Sequence, residues 1–328
     1  LVDVTGGTWD VASTVFSGPE PIVPDSIINN ATITNVATAI SPLRFLGDLT
    51  ITGTAAHGIV GGQRLTVLGN FTVSNGADVT MDQPADTLDV SGAVSFSGAQ
   101  DVGTMNAGVI LVRGPSFSTP NTTTSFLTSG THRVEFVGTG AQTLTMGRSF
   151  DQPFADLVFD NAAGVTLASD VYVDGTVTLL QGAVTAATTV VTAGGLVDVT
   201  GGTWDVANTT FSGADPVLPD SLLNNARFTN TVTLVQPLRV LGYAILDGTG
   251  AHVILNGQKL TVLGGFSLTN GADLTMDQAV DTLDVSGAVT FSGAQDAGVM
   301  SAGVILVRGP SFTTPNTTTA FIVSGTHR

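Results

Sequence analysis

The chain has 328 residues and a formal charge of −16, long enough to bury a sizeable core and too acidic to favour phosphate backbones or anionic membrane surfaces. Hydrophobic residues make up 42% and charged residues only 11%, with a single Lys and two Glu; this excludes a charge-rich disordered chain and argues against helices, whose wet faces draw on Lys, Glu and Arg. Cys is absent, which removes disulfide scaffolds, zinc–thiolate centres and thiol nucleophiles.

The predicted elements are short strands from the first residues onward. LVDVTGGTWD (Leu1–Asp10) reads as an opening in mid-pattern, as if cut from something longer, without the pattern of a secretory signal, and no apolar run reaches the roughly 18 to 20 residues of a membrane helix. LGDLTITG, LGNFTVSNG, VSGAVSFSG and VRGPSF follow, built around Gly47, Gly69, Gly92 and Gly114 at intervals of about 22 residues. Alternating β-branched residues bounded by turns such as Ser74-Asn75-Gly76-Ala77-Asp78 read as strands of about four to six residues. At Leu196 the opening decapeptide recurs, and from there 92 of 133 positions match the first copy without a gap. The second copy repeats the glycine cadence at Gly242, Gly264, Gly287 and Gly309. The predicted organisation is thus a first repeat unit at 1–195 and a second at 196–328, truncated at THR, in one continuous rod with no linker.

Coils of about 22 residues with two or three strands each predict an all-β chain folded as a right-handed parallel β-helix, or β-solenoid, about nine coils per repeat unit. The competing architecture is a string of β-sandwiches, but no half-period near 100 residues is present and Trp9 and Trp204 are one residue seen twice. Leu65, Val67, Phe71, Leu88, Val90 and Phe96 are the expected bore residues. The segment Phe154–Gly182, FADLVFDNAAGVTLASDVYVDGTVTLLQG, resembles the β-solenoid repeats of giant bacterial surface and secreted proteins, of the adhesin or autotransporter-passenger kind. That resemblance covers about 30 residues well, and it implies an extracellular, modular, non-catalytic stalk.

The clearest chemical cluster is Asp78, Asp82, Asp86 and Asp89, repeated as Asp273, Asp277, Asp281 and Asp284. Such carboxylates can hold calcium or act as a glycosidase pair. Their spacing lacks the alternating ligands and central Gly of an EF-hand, and turn capping is the simpler expectation. His57/His252 and His132/His327 have no metal-ligand partner in sequence and read as solvated turn residues. Arg44, Arg64, Arg113 and Arg133 recur as Arg239, Lys259, Arg308 and Arg328, which suits pairing with nearby Asp. Thr50-Ile51-Thr52 and Thr143-Leu144-Thr145 exist, but no T-x-T column holds at constant sequence phase, so an ice-binding face is not expected. The sequons at Asn30, Asn70, Asn121, Asn208 and Asn316 are glycosylation acceptors only where that machinery exists.

No catalytic or cofactor residues are assigned and no enzyme is expected. The expected function is a structural extracellular or cell-surface repeat protein, a stalk or filament subunit of a fibre or adhesin. Its expected partners are copies of itself, end to end or in tandem, and a carbohydrate or cell-surface ligand. Nucleic acid binding and membrane insertion are not expected. The alternative is a carbohydrate-binding or polysaccharide-degrading β-helix, which needs acids and aromatics converging on one face.

Overall fold

The computed structural model describes residues 11–18, 22–23, 27–98, 103–119, 126–147, 152–213, 222–292, 298–314, 321, 323–326 and 328. Those residues form strands, bridges and turns with no helix, and the paired strands run parallel. The fold is an all-β parallel β-solenoid with about 22 residues per coil, and the sandwich alternative is excluded. By proximity the chain divides into two compact units. One comprises Leu1–Asp174 with Leu180–Ala183, and the other Gly175–Leu179 with Val184–Arg328.

One coil of the first unit shows how sequence becomes structure. Leu49–Thr52, His57–Ile59 and Arg64–Val67 are three successive strands, and Phe71–Ser74 then lies directly over the first of them, Phe71 on Leu49 and Val73 on Ile51. In Leu49–Thr52 and Phe71–Ser74 burial alternates residue by residue, as the two-residue pleat requires. The turn after Phe71–Ser74 places Asn75 and Gly76 at φ 56 and 78°, a left-handed pair that Asn and Gly adopt most readily.

The glycine cadence marks a corner of the coil. Gly69 N–H donates to the Gly47 carbonyl at 3.0 Å and Gly92 N–H to that of Gly69 at 2.9 Å. A Cβ on Gly92 would stand 2.3 Å from the Gly69 oxygen, so side chains are excluded where successive backbones approach.

Coil length varies around its mean. In the first unit Ser13 lies under Asn30, Ala31 under Leu49, Leu49 under Phe71, Phe71 under Val94 and Phe117 under Leu144, steps of 17, 18, 22, 23 and 27 residues. The second unit repeats the short steps, with Asn208 on Asn225 and Ala226 on Ala244, before Ala244 on Phe266 restores 22.

Of the expected bore residues, Val67, Phe71, Leu88, Val90 and Phe96 are buried, while Leu65 is only half-buried. Leu65 lines an apolar cavity of about 30 Å³ with Ala37, Ala39, Gly58 and Val60. Its counterpart Leu260 is fully buried. The reason is visible in the sequence: the second copy carries the larger Val232, Leu234, Val253 and Leu255 at those four places. Further along the first unit the bore is aromatic. Phe117 packs on Phe96, Phe126, Phe136 and Phe154 at ring distances of 5.8, 5.1, 6.4 and 5.7 Å.

Candidate functional site

The sequence-predicted carboxylates separate into three roles. Asp86 is fully buried in the turn before Thr87–Val90. It accepts backbone N–H bonds from Gln83 at 2.9 Å and, one coil away, from Gly62 at 2.5 Å. Asp281 does the same with Gln278 at 2.9 Å and Gly257 at 2.6 Å. These are capping carboxylates, whose negative charge is stabilised by donors that would otherwise be unsatisfied.

Asp89 is buried and sits between Arg64 of the preceding coil and Arg113 of the following one. It pairs with Arg64 and receives Arg113 Nε at 2.6 Å. Asp284 repeats the clamp with Lys259 Nζ at 2.8 Å and Arg308 Nε at 2.7 Å. Hydrogen bonds from Arg308 and then Lys259 hold the Asp284 carboxyl down at about 2. The Arg64-to-Lys259 exchange between copies keeps the charge and the partner, so for Arg64, Arg113, Lys259 and Arg308 the expected pairing with Asp is a three-coil clamp, whereas Arg133 pairs with Glu135 on its own strand.

Asp78 and Asp273 are buried and stand in register with His57 and His252. Each imidazole shares a 2.7 Å hydrogen bond with a Thr hydroxyl one coil on, Thr80 and Thr275. Burial lowers both imidazole pKa values, and the neighbouring Asp opposes that shift. Asp273 also accepts Gly298 N–H at 3.0 Å. Asp82 and Asp277 are exposed. Among the described residues, no group of three or more His, Asp or Glu is placed to hold a metal ion.

The solvated-turn expectation fails for the described histidines: His57 and His252 lie partly buried on strands, and His132 departs furthest. It is completely buried, with both ring nitrogens lacking hydrogen-bond partners and the Phe126 ring 6.4 Å away. Desolvation lowers its pKa to about 4. Only the backbone register, which turns this residue inward, separates it from an exposed turn histidine. His327, its counterpart, lies outside the described residues, as do Trp9, Asn121 and Asn316.

A hydroxyl column that sequence phase concealed also appears. Thr32, Thr50, Thr72, Ser95, Ser118 and Thr145 are successive register partners in the first unit. Their sequence steps of 18, 22, 23, 23 and 27 defeat a search at constant period, whereas the coils align them. Some of these hydroxyl faces bond inward: Ser118 donates to the Val94 carbonyl at 3.4 Å, and in the adjoining column Ser74 bonds Thr52 at 3.0 Å. In the second unit the corresponding column reads Thr210, Arg227, Ile245, Ser267, Thr290 and Thr313, so the run of hydroxyls is broken there.

No protein-family model, curated protein or solved structure matches this chain.

Proposed function

We propose that the chain is a structural segment of an extracellular or cell-surface protein, a stalk or filament-forming part of a fibre or adhesin like the bacterial solenoid repeats that Phe154–Gly182 resembles. One observation carries this reading: most of the buried carboxylates and the cations that face them, kept between the two copies, are spent on joining coil to coil. The Asp89 and Asp284 clamps, the Asp86 and Asp281 caps, and the His57–Thr80 and His252–Thr275 bonds each link neighbouring coils. A catalytic centre needs polar groups held free to meet a substrate, whereas here the repeated groups meet one another. Nearest-neighbour bonding of this kind suits a load-bearing repeat that lengthens by adding coils.

Electron microscopy of the purified chain, with and without EDTA, tests the proposal. Elongated particles or filaments that persist in EDTA are expected, because the chain's own donors already engage Asp86, Asp89, Asp281 and Asp284. Compact globular particles would sink the structural reading. Order lost only in EDTA would instead assign the aspartate cluster to calcium.

A further inference from the structure

We propose that the second unit carries a binding groove for a neutral oligosaccharide, centred on Tyr243. The groove is open, about 800 Å³, and is lined by successive coils through Asn208, Asn225, Arg227, Tyr243, Asp247 and Asn270. Tyr243 keeps 44% of its surface exposed, and its hydroxyl donates to Asn208 Oδ1 at 2.9 Å across two coils, which fixes the ring. Beside it Arg227 pairs with Asp247. Asp247 also accepts Asn270 Nδ2 at 2.7 Å and the Thr269 hydroxyl at 2.9 Å. Arg227 remains about half exposed, leaving guanidinium donors for a ligand.

An aromatic face beside planar amides and a neutralised Arg–Asp pair is the chemistry that recognises a sugar ring. The C–H face stacks on the aromatic, while the hydroxyls take donors and acceptors held rigid beforehand. The ion pair cancels its own charge, and a chain at −16 disfavours acidic polymers, so a neutral glycan is the better match.

The comparison between copies makes the groove specific to the second unit. The first copy has Ser13, Thr32, Asp48, Thr50 and Thr52 where the second has Asn208, Arg227, Tyr243, Ile245 and Asp247. Asn225 and Asn270, by contrast, match Asn30 and Asn75, and Asn225 does the same coil-joining work as Asn30, each bonding an Ala carbonyl at 2.8 Å. Shared residues build the coil, and the changed ones cluster on one outer face.

The test is calorimetric titration of the full chain with neutral hexasaccharides (β-1,4-linked glucose, xylose and N-acetylglucosamine, and α-1,4-linked glucose), with hexagalacturonate as the acidic comparator. At least one neutral hexasaccharide should bind, and Tyr243→Asp and Arg227→Thr should each weaken it by about tenfold or more. Asp48→Ala, at the matching place in the first copy, should leave binding unchanged. Both groove variants install the residue that the first copy carries, and an unchanged melting midpoint verifies that the coil still folds. Should Tyr243→Asp lower that midpoint, saturation-transfer NMR on a Tyr172→Phe chain, which leaves Tyr243 as its single tyrosine, decides, with transfer from tyrosine ring protons supporting the site and its absence refuting it. No binding by any neutral hexasaccharide, binding that survives both substitutions, or preference for hexagalacturonate overturns the proposal.

Discussion

His132 is the residue whose environment departs furthest from its chemistry. Below its ordinary pKa of 6.5 the unfolded chain takes up a proton that the folded chain refuses until about pH 4. Stability is therefore complete above pH 6.5 and falls as the pH drops towards 4, by on the order of 3 kcal/mol for this group. Asp284 acts in a lower window: its carboxyl, held at about 2, contributes stability present above the ordinary 3.8 and lost as the pH approaches 2. His132→Leu should flatten the limb between pH 6.5 and 4, leaving the shallower share of His57 and His252, and should keep the loss below pH 4. At pH 7 it should not destabilise, because it removes two unpartnered ring nitrogens from the bore. Urea midpoints at pH 7, 5 and 3 check this, and an unchanged slope between 7 and 5 would refute it. His132 was not legible in sequence. Thr131-His132-Arg133 has the look of a turn, and only the coil turns its middle residue inward.

At the scale of the coil, the apolar cavity at Ala39 and Gly58 is a difference in filling between two copies of one design. The second copy supplies Leu234 and Val253 there, partly balanced by Val240 and Ala244 in place of Phe45 and Leu49. A Cβ on Gly58 would meet the Ile51 side chain, nearest at Cδ1, 2.6 Å away, a flexible end on a residue that the second copy has as Leu246. With Phe45 and Leu49 kept, the cavity has room for only a few added carbons, and Ala37→Val, the residue that the second copy carries as Val232, should raise stability by about 0.5–2 kcal/mol, read as an increase in the melting midpoint. A fall would mean that the cavity cannot accept the added carbons without moving backbone. The strands themselves were legible, since alternation reports inward positions and the glycine interval reports the coil length; the crowded corner those glycines occupy was not. The half-burial of Leu65 was not, because it depends on what the neighbouring coil leaves empty.

For the whole molecule, strands meet mainly the strands of adjacent coils, so damage should stay local. Phe117→Ala removes a ring that touches four others in the first unit and should cost about 3–5 kcal/mol. Hydrogen exchange should quicken in Val94–Ser97, Ser116–Thr119 and Gln142–Met146, while Ala244–Asp247 and Phe266–Thr269 in the second unit keep their protection. Uniform acceleration across both units would show a single cooperative domain instead of a chain of nearest-neighbour contacts.

The sequence by itself determined the all-β class, the mean coil length, most of the bore and the duplication, because these are written in local alternation and in spacing along the chain. Only the tertiary structure decided which residues meet sideways. Asp89 finds Arg64 and Arg113, Thr32 begins a hydroxyl column that reaches Thr145, and Tyr243 comes to stand over Asn208 with Arg227 and Asp247 beside it. The physical reason is the unequal coil, with register steps from 17 to 27 residues. Each turn length resets which side chains stack, so contacts between coils follow the summed geometry of the loops and no fixed period in the sequence.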